Sequence, residues 1–439
     1  MGNALLGGTW PERAFVFVDR RSQGLIRVWE RTEPIANHWC MILLLAGLLA
    51  TVIFFPSPAI AATLTVTDLG DSGAPGQLRT LINAAAPGDT TIMPAGTINL
   101  LAGVLAIGKS LTIQGAGAGV TIINGGGIDG VFNISCGSTV VISRLSVRNG
   151  NATFGGGIFN CDFANLTLTD ISIGGNIAFD AGGGLLNAGT ATLTNVTISG
   201  NTGAFGGGIS NTRSATLTNV TISGNTAHLG GGIENEGTAM TLTNVTISGN
   251  TADEGGGIDT TPNATLTNVT IAGNTAGVGG GISYSIFFTA APTAKNTILA
   301  NNGFSDNCSI STTAIGVLPI VSLGHNLDSG STCAFTGPGD LSNTDPKLGP
   351  LQNNGGPTQT HALRPGSPAI DAGGPDCPPP ATDQRGVARP QGAACDIGAY
   401  EFVQASVARI PALSDWGMLG LVGLLVILMA MGLRQRGTS

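Results

Sequence analysis

One unit recurs along the middle of this chain and limits its folding more than any other feature: L-T-N-V-T-I-S-G-N-T-A-x-x-G-G-G-I-x-N. Its leading leucine falls at Leu193, Leu217, Leu242 and Leu266, in steps of 24, 25 and 24 residues. Looser copies begin at Ile142 and Leu168. Triple glycines keep the same beat, starting at Gly155, Gly182, Gly206, Gly230, Gly255 and Gly279. Within a unit, apolar Val220 and Ile222 alternate with polar Thr221 and Ser223, the period of a strand with one buried face. β-Branched residues dominate, and a triple glycine in every unit would break a helix.

A single unit cannot bury its apolar side chains alone. Stacked in register, with strands about 4.8 Å apart, each unit covers the next. Leu, Val and Ile then form apolar ladders, and Asn201, Asn225, Asn250 and Asn274 form a polar ladder at one bend. The fold class expected is all-β, a right-handed parallel β-helix of the pectin-lyase-like kind, with handedness set by the rule for parallel crossovers. About ten coils fit between residues 63 and 300 at this repeat length. The Asn-x-Thr triplets at Asn195, Asn219, Asn244 and Asn268 look like glycosylation acceptors, but here they read as a bend followed by a strand.

Composition agrees with repetition. The 439 residues include 69 Gly and only 10% charged residues, yet 42% are hydrophobic, more than a disordered chain carries. Between Ala62 and Arg409 there are 11 Lys and Arg against 21 Asp and Glu. So acidic a body disfavours nucleic acid as a partner.

Two segments read as something other than the folded body. Met41–Phe55 is apolar or small throughout and is followed by Ala59-Ile60-Ala61, the pattern of a secretory signal peptide cleaved after Ala61. The 40 residues before it carry five arginines and make a leader longer than an ordinary one. Near the other end, Trp416–Leu433 is apolar, with Arg434 and Arg436 directly after it, as in a transmembrane helix with a cytoplasmic basic tail. Together these segments place 62–409 outside the cytoplasm. Four parts are thus expected: 1–61, extension and signal peptide; 62–300, β-helix repeats; 301–409, the β-helix end and a further module; 410–439, the tail.

Several motifs carry resemblances. Ile410-Pro411-Ala412-Leu413, followed by Trp416-Gly417, resembles the IPTL-CTERM sorting signal of Gram-negative bacteria, with Ala412 where that family usually has Thr. The resemblance implies an exosortase-type processing protease as a partner and sorting to the envelope or surface. The repeats resemble those of polymorphic-outer-membrane-type β-helix proteins. Leu64–Asp68, Gly76–Arg79 and the run to Ile92 resemble a capping start, in which a strand and short helix close the solenoid. DPKLGPLQNNGGPTQTHALRPGSPAIDAG at 345–373 and DQRGVARPQGAACDIGAYEF at 383–402 resemble the choice-of-anchor Q domain. That likeness implies location and architecture and no reaction. No part after residue 300 shows the serial ten-residue amphipathic strands of an outer-membrane barrel, which speaks against autotransport.

Cys40 precedes the signal core. Six cysteines remain, an even number in an exported chain. Cys136 and Cys161 lie one coil apart and should stack. Proximity in sequence pairs Cys308 with Cys333 and Cys377 with Cys395. No C-x-x-C occurs, so neither a zinc site nor any cofactor is expected.

For chemistry, the candidate pair is Glu234 and Asp259, which hold the same place in successive coils. Stacking puts them about 5 Å apart, a spacing that suits a retaining glycosidase. With Asp253 and Glu254 they are also calcium candidates, with Glu236 nearby. The plainer reading is a solvated acidic patch, because other coils carry Phe159, Leu186, Ser210 and Ser283 at that place. Trp is absent from 62–409, Tyr occurs only at 284 and 400, and no Arg shares the acids' register. The chain therefore reads first as an exported structural or adhesive surface protein that meets glycan or cell-surface partners. The alternative is a polysaccharide lyase or glycoside hydrolase.

Overall fold

The computed structural model describes residues 61–404 apart from 262, 285–290, 304–305 and 311–319, and also the helix 415–436. The signal segment, Cys40 and Ile410–Leu413 lie outside the described residues.

The body is a parallel β-helix of about ten coils. A sixteen-stranded sheet contains a path of eleven strands from Thr63–Thr65 to Val321–Ser322, and a nine-stranded sheet faces it. Neighbouring repeats pair residue for residue: Leu217 with Leu242, Val220 with Val245, Ile222 with Ile247. Their side chains form one buried stack with Leu193, Leu266, Val269 and Ile271, all at most 1% exposed. Coils continue past residue 300 through Cys308–Ile310, Val321–Ser322 and Leu327–Asp328.

The three glycines of each unit serve different needs. Gly230 has φ +65°, left-handed backbone that a side chain strains. Gly232 has an ordinary conformation, but an added Cβ would meet the Gly257 carbonyl oxygen of the next coil at 2.5 Å. The first lets the chain turn, and the last lets coils approach.

The expected asparagine ladder is present and longer than the repeats announce. It runs Asn176, Asn201, Asn225, Asn250, Asn274, Asn302 and Asn307. Asn225 Oδ1 accepts from Asn201 N and Asn201 Nδ2, both at 2.9 Å, while its Nδ2 donates to Ile198 O at 3.1 Å. Each amide thus satisfies backbone that a bend would leave unpaired inside the protein. A second ladder links Asn160, Asn187, Asn211 and Asn235. The Asn-x-Thr asparagines sit at a left-handed corner, with φ of 56°, 56°, 53° and 53° at Asn195, Asn219, Asn244 and Asn268. Asn tolerates that conformation better than other side chains, so the bend reading of those triplets holds.

The N-terminal end is closed by the strand Thr63–Thr65 and the helix Leu78–Ala84, whose Leu78 and Ile82 are buried. Arg79 ties the cap down. It pairs with Asp71 at 2.7 Å and donates to Val104 O and Gly103 O. Asp71 also accepts from Leu101 N and Ala102 N.

All three cysteine pairs are disulfides. Cys136–Cys161 and Cys308–Cys333 join adjacent coils, with Cα–Cα distances of 4.7 and 4.8 Å; Cys377–Cys395 closes a loop of the C-terminal segment.

Asp415–Arg436 is one helix of 22 residues, about 33 Å long. Its side chains are described at 419–420 and 422–431. Among the described residues, no helix is long and apolar enough to cross a membrane.

Candidate functional site

The segment 345–402 folds back over the solenoid instead of extending it. It has little regular structure beyond the antiparallel strands Leu348–Gln352 and Thr360–Leu363. Its hold comes from polar side chains that reach the outward threonines of the repeats. Gln384 is the key: Thr246 Oγ1 donates to its Oε1 at 2.7 Å, and its Nε2 donates to Thr221 Oγ1 and Thr358 Oγ1 at 2.9 Å. Thr221 donates to Gln359 O, His361 Nε2 lies 2.8 Å from Ser248 Oγ, and Ala399 N donates to Thr270 Oγ1. Burial lowers the His361 pKa, so its ring favours the neutral form.

The DQRG and DIGAYEF motifs meet behind this contact. Arg389 and Glu401 form an ion pair at 2.9 Å with both side chains fully buried. Arg389 also donates to Asp396 O and Gly398 O; Glu401 accepts from Gln391 N and Asp396 N. Arg385 pairs with Asp383 at 2.6 Å and stacks on the Tyr400 ring at 3.5 Å. Burial pushes the Asp396 carboxyl up to about 7 despite backbone donors from Phe402 and Asp371. Apart from Arg389 Nε, which has no hydrogen-bond partner, these charges are met by each other and by backbone, the arrangement of a clamp. The motifs alone assign no role to these residues. The signal was there in charged residues spaced along an otherwise uncharged segment.

The candidate acids are brought together as expected. Ile233–Asn235 and Ile258–Thr260 pair with Glu234 opposite Asp259. The solvated-patch reading does not describe Glu234, which is 4% exposed. Its Oε2 accepts from Ser210 Oγ at 2.7 Å. Burial raises its pKa to about 7, and the charges of Glu236 and Asp259 add to that. Asp259 is half-buried and raised to about 6, again chiefly by burial. A raised, partly protonated carboxyl is a group that can deliver or take a proton near neutral pH.

The remaining acids do not join them. Asp253 is exposed and pairs with His228 at 2.8 Å; both are about three-quarters exposed. Glu236 is exposed and Glu254 half-buried. Among the described residues, no three acidic, His or Cys side chains are placed to hold a metal ion. Arg213 is engaged elsewhere, paired with Asp162 and lying over the Phe163 ring at 4.2 Å.

The acids belong to a longer outward row on the nine-stranded sheet: Asn133, Phe159, Leu186, Ser210, Glu234, Asp259 and Ser283. Exposed phenylalanines flank it in the coils of Phe159, Leu186 and Ser210. Phe154, Phe163, Phe179 and Phe205 are 50%, 66%, 71% and 41% exposed. Counting only Trp and Tyr in the sequence missed them.

No protein-family model matches this chain, and no curated protein matches it. Among solved structures, it is similar to pectate lyase Pel9A at 12% identity, covering 78% of this chain and 97% of that one, with a TM-score of 0.46. It is also similar to a PL6 family alginate lyase, AlyGC, at 14% identity, covering 61% and 41%, with a TM-score of 0.37. A mannuronic-acid-specific family 6 lyase from human gut microbiota aligns at 12% identity over 61% and 80%, with a TM-score of 0.29. The likeness is one of coil architecture.

Proposed function

We propose that this chain is an exported structural protein of the bacterial envelope, held at its C-terminal end, whose stiff solenoid makes contacts at the cell surface. The observation that carries this reading is the set of three disulfides, Cys136–Cys161, Cys308–Cys333 and Cys377–Cys395. Such bonds persist in oxidising compartments outside the cytoplasm. The signal-peptide pattern ending at Ala61 supplies the route. The apolar run Trp416–Leu433 with Arg434 and Arg436 supplies an anchor, and the likeness of Ile410–Gly417 to the IPTL-CTERM signal supplies an exosortase-type protease as its processor. The choice-of-anchor Q resemblance of 345–402 fits a module placed between a displayed body and a sorting tail. The test is intact mass and fractionation of the protein from its native envelope. Loss of residues 1–61 with recovery in the envelope supports the reading; recovery from the cytoplasm with residues 1–61 attached contradicts it.

A second reading, glycoside hydrolysis, is favoured by one observation: Glu234 and Asp259 are stacked carboxyls raised to about 7 and about 6. In it Glu234 acts as general acid and Asp259 as nucleophile or base. Hydrolysis of a neutral or acidic polysaccharide, abolished in both Glu234→Gln and Asp259→Asn, would support it. Activity that survives either change would end it.

A further inference from the structure

We propose that a recess at the N-terminal end of the outward row is a binding subsite for a single neutral sugar ring of a glycan. The recess has a volume of about 240 Å³ and is lined by Asp129, Asn133, Phe154 and Phe159, among others. It exists because the coils change girth. The strand Asn151–Phe154 begins an outward arm that pairs with Ile177–Ala181 on one side only. On its other side the preceding coil is narrower, and the step between them leaves the hollow. Phe159 stands opposite Asn133 in register and forms its floor along the sheet.

The lining chemistry selects the ligand. Aromatic faces carry negative charge density and attract the C–H edges of a pyranose. Phe154 and Phe159 offer such faces, and Phe154 is half-exposed. Sugar hydroxyls need donors and acceptors around the ring. The Asn133 amide has no hydrogen-bond partner among the described residues and offers both. Asp129 Oδ1 accepts from Gly130 N at 2.7 Å and Oδ2 from Val104 N at 3.3 Å, which leaves acceptor positions free on the carboxylate. No Lys or Arg lines the recess, and its one charge is negative. A uronate would meet repulsion there without a counter-charge. The volume lies below the range of about 300–1,000 Å³ typical of drug-sized ligands, so it admits one ring.

This subsite deepens the surface-contact reading, yet its test needs no membrane, so the two can fail separately. The full chain in detergent micelles is titrated with cello-, malto-, manno- and xylohexaose, and with hexagalacturonate, by calorimetry and saturation-transfer NMR. At least one neutral hexamer is expected to bind, and hexagalacturonate about tenfold more weakly or not at all. Phe159→Ala is expected to weaken binding by about tenfold. Phe159→Leu is the folding control, because Leu186 holds the same place in the next coil. It keeps the coil packed and removes the ring, and should weaken binding as the alanine does. Absence of binding by all four neutral hexamers overturns the proposal. So does unchanged affinity in Phe159→Leu, or tighter binding of hexagalacturonate.

Discussion

Each coil of the solenoid is held by copies of itself, whereas the segment folded over it is held by residues that have no copy. Leu217, Leu242 and Leu266 do the same work three times, and the asparagine ladder repeats one amide seven times. The segment 345–402 relies instead on ion pairs that occur once each, Arg389–Glu401 and Arg385–Asp383, and on one glutamine, Gln384. A repeated contact spreads the loss when one copy fails. A unique buried ion pair does not, because either partner alone is an uncompensated charge. Coupling between coils therefore protects the solenoid, and the clamp should fail first and as a unit.

The sharpest way to break this comparison is Arg389→Ala. It leaves Glu401 buried without its partner and should destabilise the C-terminal segment by about 3–5 kcal/mol. Hydrogen exchange should show 345–402 opening while 193–271 stays protected. Asn250→Ala strikes the solenoid. It removes the acceptor for Asn225 N and the donor to Ile222 O, at a cost of about 2–3 kcal/mol. Denaturant unfolding should show that loss in the solenoid transition.

A third effect comes from protons. Glu234 and Asp259 titrate at about 7 and about 6 in the folded chain, above their ordinary 4.5 and 3.8. The folded state then holds protons more tightly than the unfolded one. Their contribution is fully present below about pH 4 and is lost as pH rises through 6 to 7. Asp396, raised to about 7, acts in the same direction within the clamp. Stability should fall by about 1–3 kcal/mol between pH 5 and 8, and Glu234→Gln should remove about half of the solenoid's share, leaving that of Asp259. A melting series across pH checks it.

The smallest effect compares two copies of one residue. Thr221 and Thr197 are partners in register, but Thr221 is buried beneath the clamp and Thr197 is only half-buried. Thr221→Val should cost about 1–2 kcal/mol and Thr197→Val under about 0.5 kcal/mol. Equal costs would mean that the clamp is not seated on these coils.

That last pair also marks the limit of what the sequence could tell. Coil length, strand positions, the Asn201–Asn274 ladder and the disulfides Cys136–Cys161 and Cys308–Cys333 were legible, because each depends on a spacing of about 25 residues; Cys377–Cys395, 18 residues apart, followed from proximity in sequence alone. Thr197 and Thr221 occur in the same words of the repeat, and nothing local separates them. What separates them is Gln359, 138 residues from Thr221 in the chain. The burial of Glu234 was hidden for a related reason. Glu234 is covered in the folded chain and bonded to Ser210 of the preceding coil, while the drift of residue type at that place looked like exposure. The recess of Phe154 and Phe159 depends on how neighbouring coils stack, so the phenylalanines alone did not reveal it.

The most direct test is a non-reducing peptide map of the protein taken from its native envelope. The expected result is Cys136–Cys161, Cys308–Cys333 and Cys377–Cys395 in full yield, which requires the coil register, the seated C-terminal loop and an oxidising compartment together. Free thiols at these six positions, or crossed pairs between them, would contradict the account.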